Sequence, residues 1–358
     1  MKAGIVGCGN ISGIYIENSK RFQKYEVVAC ADIHMEKAAE TALKYGIASM
    51  TVEDMMVSPD IDIVINLTVP SVHAEISIEA IRNGKHVYSE KPLAVSFEDG
   101  KRVLAEAEKF RVIVGSAPDT FLGGSIQLAG ELIEEGSLGR IVGASSFMMS
   151  RGPESWHPNP EFFYQKGGGP MYDMGPYYLT ALANLFGPVK RLTGSAAITF
   201  SERVITAPEK FGDIITVEVP THVSGILEFA AGGSATITTS FDVSSARTPF
   251  LEVYLERGTI SLPDPNYFNL PLLVKRQNED EWTELKPEGE AYDNMRGLGV
   301  CYLVDAITDG REPHASGKLA LHVLEMMHGI HQSSETGSHY QMETTYQKVH
   351  VKKAEYQG

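Results

Sequence analysis

The chain has 358 residues, a length that favours two domains, and its 43% apolar and 22% charged residues are ordinary for a globular protein. Acidic residues outnumber basic ones by 46 to 31, for a net charge of −15, and no cluster of Lys and Arg is present, which argues against nucleic acid as a partner. No apolar run approaches the roughly 18 residues of a membrane helix, and the N-terminus shows no secretory signal. These features favour a cytoplasmic protein without a membrane partner.

Neither a disulfide framework nor a metal site is predicted. The three cysteines, Cys8, Cys30 and Cys301, are an odd number at wide spacing. His328 and His331 form an i,i+3 pair, but no nearby carboxylate completes a set of metal ligands. We therefore expect reduced cysteines and no bound metal.

The first 120 or so residues alternate between predicted strands and helices. Strands are predicted at 3–6, 26–31, 62–67, 86–88 and 112–114. Helices are predicted from 11, over 35–45 and 73–83, and from 96. Continuous apolar strands between amphipathic helices are typical of a parallel sheet covered on both faces. An α/β domain is therefore expected over residues 1–120.

The pattern changes after about Phe121, where hairpins replace the strand–helix alternation. The hairpin arms are predicted at 221–229 with 234–241, 250–256 with 259–262, and 272–276 with 282–285. Helices are predicted at 125–135, 295–308 and 318–333. Successive hairpins build an antiparallel sheet. The sequence thus predicts an α+β domain over residues 121–358, with an open, mainly antiparallel sheet.

A glycine-rich loop follows the first predicted strand and opens the first helix. The run Gly-Cys-Gly-Asn-Ile-Ser, starting at Gly7, is a dinucleotide fingerprint with Ser in place of the third glycine. Gly7 permits the tight turn and Gly9 lets the backbone approach a pyrophosphate. Asn10 and Ile11 open the helix whose N-terminal N–H groups face that anion. This context predicts a Rossmann domain that binds a dinucleotide.

An acidic residue supports this prediction and selects the cofactor. Asp32 ends the second predicted strand, 20 residues after Ser12. A carboxylate there accepts hydrogen bonds from the ribose hydroxyls and repels a 2′-phosphate, and the next residue is Ile33 instead of a phosphate-binding Arg. NAD is therefore favoured over NADP. The alternative is a surface aspartate that simply closes a strand.

The segment from Gly84 to Pro92, Gly-Lys-His-Val-Tyr-Ser-Glu-Lys-Pro, resembles the signature of the Gfo/Idh/MocA family of sugar and polyol dehydrogenases. The resemblance extends over nearly the whole chain and implies a Rossmann domain followed by an open-sheet domain. It implies a catalytic role for Lys91, and a cis peptide before Pro92. It also places Glu90 and the stretch from Thr68 and Pro70 to His73 beside the cofactor, although a histidine at a helix start is often only a cap.

Lys91 has a physical reason to be catalytic apart from the resemblance. It follows a parallel strand at the carboxyl edge of the sheet, where ligands of open α/β sheets bind. An ammonium group there can hydrogen-bond a substrate oxygen and favour alkoxide character as hydride leaves. The alternative is a solvated loop lysine.

A second motif, residues 167–178, resembles the family's Gly-Gly-x-x-x-Asp-x-Gly-x-His pattern. Asp173 matches the aspartate, and Tyr177 stands where the pattern has histidine. A tyrosine hydroxyl ordinarily has a pKa near 10, and a neighbouring ammonium group lowers such a value. The predicted roles are Tyr177 as general acid/base, Lys91 as its electrostatic partner and Asp173 as a substrate-hydroxyl acceptor. Alternatively, Tyr177 only packs in a helix interface.

Two further residues are candidates for substrate binding. Asp119 lies in Pro118-Asp119-Thr120-Phe121, which replaces the Arg-containing stretch common in the family, and a carboxylate there could grip sugar hydroxyls. Trp156 lies in a loop rich in sugar-binding residue types and could stack on a sugar or on the nicotinamide. Trp156 could equally pin its own loop.

The sequence therefore predicts NAD-dependent hydride transfer at a secondary hydroxyl or ketone of a sugar, a cyclic polyol or a sugar derivative. The alternative is a catalytically silent, dinucleotide-binding regulatory protein of the same family. The resemblance also implies a homodimer or homotetramer formed through the C-terminal sheet.

Overall fold

The computed structural model describes residues 1–348, which fold into two compact units. The first unit contains Met1–Leu122, Asn294–Leu324 and Lys348, and the second contains Gly123–Asp293 and Glu325–Gln347. The change from strand–helix alternation to hairpins predicts a single domain boundary, after residue 120. In the structure the first segment of the first unit ends at Leu122, and residues 294–324 also belong to that unit.

The first unit is built on a six-stranded sheet in the order β3-β2-β1-β4-β5-β6, in which every strand pair is parallel. The strands are β1 Lys2–Val6, β2 Glu26–Ala31, β3 Ala48–Met50, β4 Ile63–Asn66, β5 His86–Ser89 and β6 Val114–Ser116. The helices that follow them are α1 Ser12–Phe22, α2 Met35–Tyr45, α3 Val52–Val57, α4 His73–Arg82 and α5 Phe97–Phe110. The predicted parallel Rossmann sheet is confirmed.

Local sequence explains several boundaries of these elements. The Ser96 side chain caps α5 by accepting from the Asp99 N–H at 3.1 Å, as the spacing of the two residues predicts. Gly46 ends α2 in the left-handed conformation, at a φ of 70°. The strand β3 and helix α3 are additions that the sequence did not indicate, since both are short and the strand is partly exposed.

A late segment of the chain completes the first unit. Helix α9, Leu298–Asp309, packs here because its start is anchored by two buried side chains. Asn18 donates to the carbonyls of Asn294 and Arg296, both at 2.8 Å, and Asp119 accepts from backbone N–H groups at the start of α9. These contacts join residues more than 170 positions apart, and no local pattern encodes them.

The second unit is built on a nine-stranded sheet in the order β16-β15-β14-β13-β7-β12-β11-β8-β17. Its strands are β7 Ile141–Met149, β8 Val189–Ala197, β11 His222–Phe229, β12 Ser234–Ser240, β13 Leu251–Leu255, β14 Gly258–Leu262, β15 Leu272–Arg276, β16 Thr283–Leu285 and β17 Tyr340–Gln341. Two further strands, β9 Glu202–Val204 and β10 Ile214–Thr216, form a separate antiparallel pair. The helices are α6 Gly124–Glu134, α7 Gly169–Asp173, α8 Gly175–Phe186 and α10 Gly317–Thr336, the last beginning among the residues of the first unit.

The three predicted hairpins are confirmed within a residue or two, and the sheet is mainly antiparallel as expected. The central strand β7 was not predicted. It pairs parallel to β12, from Gly143 opposite Ser234 to Met149 opposite Ser240, and antiparallel to β13. Because β7 joins strands about 90 residues away, its place became evident only in the tertiary structure.

Candidate active site

The glycine loop follows β1 and leads directly into α1. Gly7 has a φ of +102°, and a Cβ added to it would lie 2.6 Å from the Leu67 carbonyl oxygen, so the position requires glycine. A Cβ added to Gly9 would meet no protein atom within 4 Å. Gly9 and Asn10 are exposed, and Ile11 precedes the first residue of α1 without a side-chain cap. The loop thus leaves open backbone at a helix N-terminus, which is the arrangement that a pyrophosphate needs.

Asp32 lies beside this loop at the end of β2. Its Oδ2 accepts from the Cys8 N–H at 2.8 Å, and its Oδ1 accepts from the His34 N–H at 2.8 Å. The carboxylate is half-buried, whereas the neighbouring Ile33 side chain is 88% exposed. Carboxylate oxygens have further lone pairs for ribose hydroxyls, because each has made only one of these bonds. The loop and Asp32 together fit a dinucleotide.

The chain after β4 is tied down by a buried amide. Asn66 is fully buried, donates to the His73 carbonyl at 2.9 Å, and accepts from the Thr68 hydroxyl at 2.6 Å. Thr68 and Pro70 are half-buried, and Pro70 begins a short 3-10 turn that leads into α4. Both residues therefore border the glycine loop's sheet edge, where their predicted contact with the cofactor stays a prediction.

His73 is buried, with 1% of its surface exposed, at the first position of α4. Its Nδ1 lies 2.7 Å from the Pro92 carbonyl oxygen and its Nε2 lies 2.9 Å from the Thr68 carbonyl oxygen. Burial lowers the pKa of the imidazole. The neutral ring carries one N–H and can donate it to either of these two carbonyls, depending on the tautomer. The imidazole therefore lies between two loops, a role that the sequence did not predict for it.

Glu90, Lys91 and Pro92 follow β5 at the same carboxyl edge as the glycine loop. The Glu90 N–H donates to the Asn66 carbonyl at 2.8 Å, which extends the β4–β5 pairing beyond the last strand residue. The peptide bond between Lys91 and Pro92 is cis, as the family resemblance implied. Lys91 is half-buried and follows the strand end where ligands of this fold bind.

The Glu90 carboxylate is buried, with 9% of the residue exposed, and both of its oxygens are engaged. Oε1 accepts from the Tyr15 hydroxyl at 2.8 Å, and Oε2 accepts from the Lys91 N–H at 3.0 Å. Tyr15 was missed in the sequence because a tyrosine on the inner face of a helix is indistinguishable from an ordinary core residue.

Asp119 has a different place from the one that the sequence suggested. It is 1% exposed, and its Oδ2 accepts from the Gly297 N–H at 2.9 Å and the Gly299 N–H at 3.1 Å. Burial raises the pKa of this carboxyl to about 6, against the opposing effect of the Gly299 N–H. The prediction that Asp119 grips sugar hydroxyls is corrected, because the side chain is withdrawn from solvent and anchors the start of α9.

The second predicted motif lies in the second unit, where Asp173 and Tyr177 belong to different helices. Helix α7 ends at Asp173 and α8 begins at Gly175, with Pro176 in its first turn. Proline has no N–H to continue a helix, and the Tyr177 N–H bonds the Met174 carbonyl at 3.1 Å. The single helix implied by a spacing of four is therefore interrupted between these two residues. Asp173 is half-buried and Tyr177 is buried.

Trp156 is 66% exposed on the 151–157 loop of the second unit. Its ring makes edge contacts with His157 and Phe163, at centroid distances of 5.4 and 6.3 Å. The ring therefore both packs on its own loop and presents free surface, so both sequence interpretations remain compatible with its position.

The loop that carries Trp156 is held by a buried ion cluster that sequence patterns did not indicate. Arg203 on β9 pairs with Glu154 and, at 2.7 Å, with Asp242, and it also donates to the Arg151 carbonyl. All three charged side chains are at most 13% exposed. The partners are about 40 to 50 positions apart in the chain, which is why no motif reveals them.

Over residues 1–348, no group of three or more His, Cys, Asp or Glu side chains is arranged to hold a metal ion. Within the same range, no helix combines the length and apolar character needed to cross a membrane. The three cysteines are free thiols.

A parallel sheet with an open glycine loop at its carboxyl edge, an acidic residue ending β2 and a lysine after β5 defines a dinucleotide-dependent oxidoreductase. Comparison with known proteins agrees. Residues 1–117 match the model of the oxidoreductase family with an NAD-binding Rossmann fold, and residues 126–261 match that of the GFO/IDH/MocA C-terminal domain. The chain therefore belongs to the GFO/IDH/MocA family of oxidoreductases.

Curated relatives include enzymes of sugars and polyols. The chain is 24% identical to myo-inositol 2-dehydrogenase of Thermotoga maritima, over 73% of this chain and 74% of that protein. It is also 24% identical to D-glucoside 3-dehydrogenase of Escherichia coli, over 96% of this chain and 97% of that protein. Among solved structures, levoglucosan dehydrogenase in complex with NADH shares the fold, with a TM-score of 0.83 at 20% identity, over 96% of this chain and 99% of that one.

Proposed function

We propose that this oxidoreductase transfers hydride between NAD and a secondary hydroxyl of a sugar, a cyclic polyol or a sugar derivative. The observation that carries the proposal lies within the first unit. The glycine loop after β1 and the Glu90–Lys91–Pro92 turn after β5 stand at one edge of one sheet, with β4 between their strands. The named activities of the curated relatives support the choice of substrate class.

NAD is proposed over NADP because of the charge at Asp32. The Cys8 and His34 N–H groups hold the carboxylate beside the loop, where it can accept from ribose hydroxyls and where it repels a 2′-phosphate. The expected result is measurable turnover with NAD⁺ and at least about tenfold lower kcat/KM with NADP⁺, since about 1.4 kcal/mol of repulsion suffices for that ratio. Asp32→Ala is expected to bring the kcat/KM values for NAD⁺ and NADP⁺ closer together.

Three side chains are proposed to handle the substrate. NAD, when bound, supplies the nicotinamide carbon that receives hydride from the carbinol carbon. Lys91 binds the substrate oxygen and stabilises its negative charge. Tyr177 takes the hydroxyl proton, and Asp173 accepts a hydrogen bond from a neighbouring substrate hydroxyl. Trp156 is proposed to offer its exposed ring as a stacking surface for the sugar.

The proposed contacts with the cofactor include Gly7, Gly9, Asn10 and Ile11 at the pyrophosphate, and Thr68, Pro70, His73 and Glu90 beside the nicotinamide half. His73 and Glu90 are proposed to act on the cofactor by fixing the loops around it. Their polar atoms already lie within hydrogen-bond distance of protein groups. Assembly into a homodimer or homotetramer through the nine-stranded sheet is also proposed.

The experiment measures absorbance at the NADH band with NAD⁺ or NADP⁺ and a panel of inositols, glucosides, aldoses and anhydrosugars. Lys91→Met is expected to lower kcat by about 10² to 10⁴-fold, the range for loss of an acid–base or electrostatic group. The Kd of this variant for NAD⁺ is expected to stay within about threefold of the native value, a difference of about 0.6 kcal/mol in binding free energy. The change is small because Lys91 lies beyond the pyrophosphate site. Lys109→Met, on the exposed part of α5, is the matched control.

Two outcomes would contradict the proposal. Full turnover by Lys91→Met would remove the lysine from the mechanism. Silence of the native protein across the panel, with NAD⁺ binding retained, would favour the dinucleotide-binding regulatory alternative.

A further inference from the structure

The Glu90 carboxylate connects two parts of the first unit that the sequence treats as separate motifs. One of its oxygens accepts from a hydroxyl on α1, the helix that starts at the glycine loop, and the other accepts from the main chain of Lys91. A buried carboxylate with both oxygens bonded has little freedom to rotate, because any rotation leaves a donor unpaired in a low-dielectric surrounding. The position of the Lys91 backbone therefore depends on what holds Glu90.

Tyr15 is the side chain that holds it. Tyr15 lies on α1, one turn after Ser12, and its surface is fully buried. The ring packs against Tyr88 on β5 at a centroid distance of 6.4 Å, and the hydroxyl donates to Glu90 at 2.8 Å. Packing thus fixes the direction of the hydroxyl, and the hydroxyl fixes the carboxylate.

We propose that Tyr15 is a positioning residue for the reaction: its hydroxyl orients Glu90, which in turn holds the main chain of Lys91 in place for the substrate. This inference rests on the proposed function of Lys91. It also gives α1 a second task, because the helix that faces the pyrophosphate with its N-terminus steadies the catalytic turn from its inner face.

The expected signature is a loss in kcat and not in binding. A displacement of about 1 Å at a reacting group costs on the order of 10²-fold in rate, whereas the glycine loop and Asp32 bind the dinucleotide through other atoms. Removing the Tyr15 hydroxyl frees the Glu90 carboxylate to turn, so Lys91 loses its fixed position while the fold keeps the tyrosine ring.

The test compares Tyr15→Phe with Tyr25→Phe. Tyr25 is also buried in the first unit, and its hydroxyl makes one long bond of 3.5 Å to the Gly297 carbonyl, so it controls for the loss of a buried tyrosine hydroxyl. Tyr15→Phe is expected to lower kcat by about 10- to 100-fold, with KM for the sugar and Kd for NAD⁺ within about threefold. Tyr25→Phe is expected to keep kcat. Equal kcat values in the two variants, or a parallel loss of NAD⁺ binding in Tyr15→Phe, would overturn the proposal.

A second variant separates position from charge. In Glu90→Gln, the side-chain oxygen can still accept from the Lys91 N–H and the amide NH₂ can donate to the Tyr15 hydroxyl oxygen, so the bridge persists without the negative charge. Glu90→Gln is expected to retain a larger share of kcat than Tyr15→Phe. The reverse order would show that the charge of Glu90 matters and the bridge does not.

A spectroscopic measurement keeps the test independent of turnover. Reductive ¹³C-methylation labels the lysines, and the Lys91 methyl signal is assigned by its absence in Lys91→Met. With or without an active substrate in the panel, the Lys91 signal is expected to shift in Tyr15→Phe and to stay in place in Tyr25→Phe. An unchanged Lys91 signal in Tyr15→Phe would refute the positioning role. If the signal shifts but the native protein turns over no sugar, the positioning role stands and only the proposed function is refuted.

Discussion

Replacing Asp119 by Asn is expected to change how the stability of the protein depends on pH. The Asp119 carboxyl is buried, and its desolvation raises its pKa from 3.8 to about 6, so the native state holds the proton more tightly than the unfolded chain does. Stability from this group is therefore fully present below about pH 4 and is lost as the pH rises to about 6. Above that pH both states are ionised and the dependence ends.

The size of the effect follows from the pKa difference. The difference between a pKa of 3.8 in the unfolded chain and about 6 in the native state corresponds to about 3 kcal/mol, at 1.36 kcal/mol per pKa unit. The Asn side chain is uncharged, and its oxygen can still accept from the Gly297 and Gly299 N–H groups that Asp119 now binds. The free energy of unfolding of the native protein, relative to Asp119→Asn, should therefore fall by up to about 3 kcal/mol between pH 4 and pH 7.

The assay is urea unfolding followed by far-ultraviolet circular dichroism at several pH values from 4 to 7. Tryptophan fluorescence is unsuitable, because both tryptophans, Trp156 and Trp282, lie in the second unit. Asp60→Asn serves as the control, since the Asp60 side chain is 73% exposed. If the difference in unfolding free energy between the native protein and Asp119→Asn does not change with pH, the raised pKa of the buried Asp119 carboxyl is refuted. A difference that grows with pH would show that the N–H donors and Arg296 outweigh desolvation.

Two further predictions concern the glycine loop and the buried ion cluster. Gly7→Ala is expected to destabilise the fold by at least about 1 kcal/mol, because Gly7 has a φ of +102° and an added Cβ would collide with a backbone carbonyl. Gly9→Ala is expected to keep the melting temperature and to weaken NAD⁺ binding at least about tenfold. Calorimetric melting and NAD⁺ titration check both, and equal melting temperatures for the two variants would contradict the assignment. Arg203→Met is expected to cost about 3–5 kcal/mol because it leaves two buried carboxylates unpaired. Tryptophan-monitored urea unfolding measures it against Arg140→Met, an exposed pair worth at most about 1 kcal/mol, and similar losses would count against a buried cluster.

The sequence by itself determined the features that depend on neighbouring residues. The glycine loop, Asp32 at the end of β2, and the Glu90–Lys91–Pro92 turn after β5 were predicted because each is a short pattern placed beside a strand. The three hairpins of the second sheet were predicted for the same reason, as their arms are joined by turns of a few residues.

The tertiary structure decided what depends on distant residues. The role of Asp119 depends on N–H groups about 180 positions later, and that of Tyr15 on a carboxylate 75 positions later. In both cases the sequence shows only a polar residue in an apolar surrounding, which is compatible with ligand binding, with packing or with an anchor. Only burial and the partner's position separate these roles, because a polar group withdrawn from water is stable only where the fold supplies its hydrogen bonds.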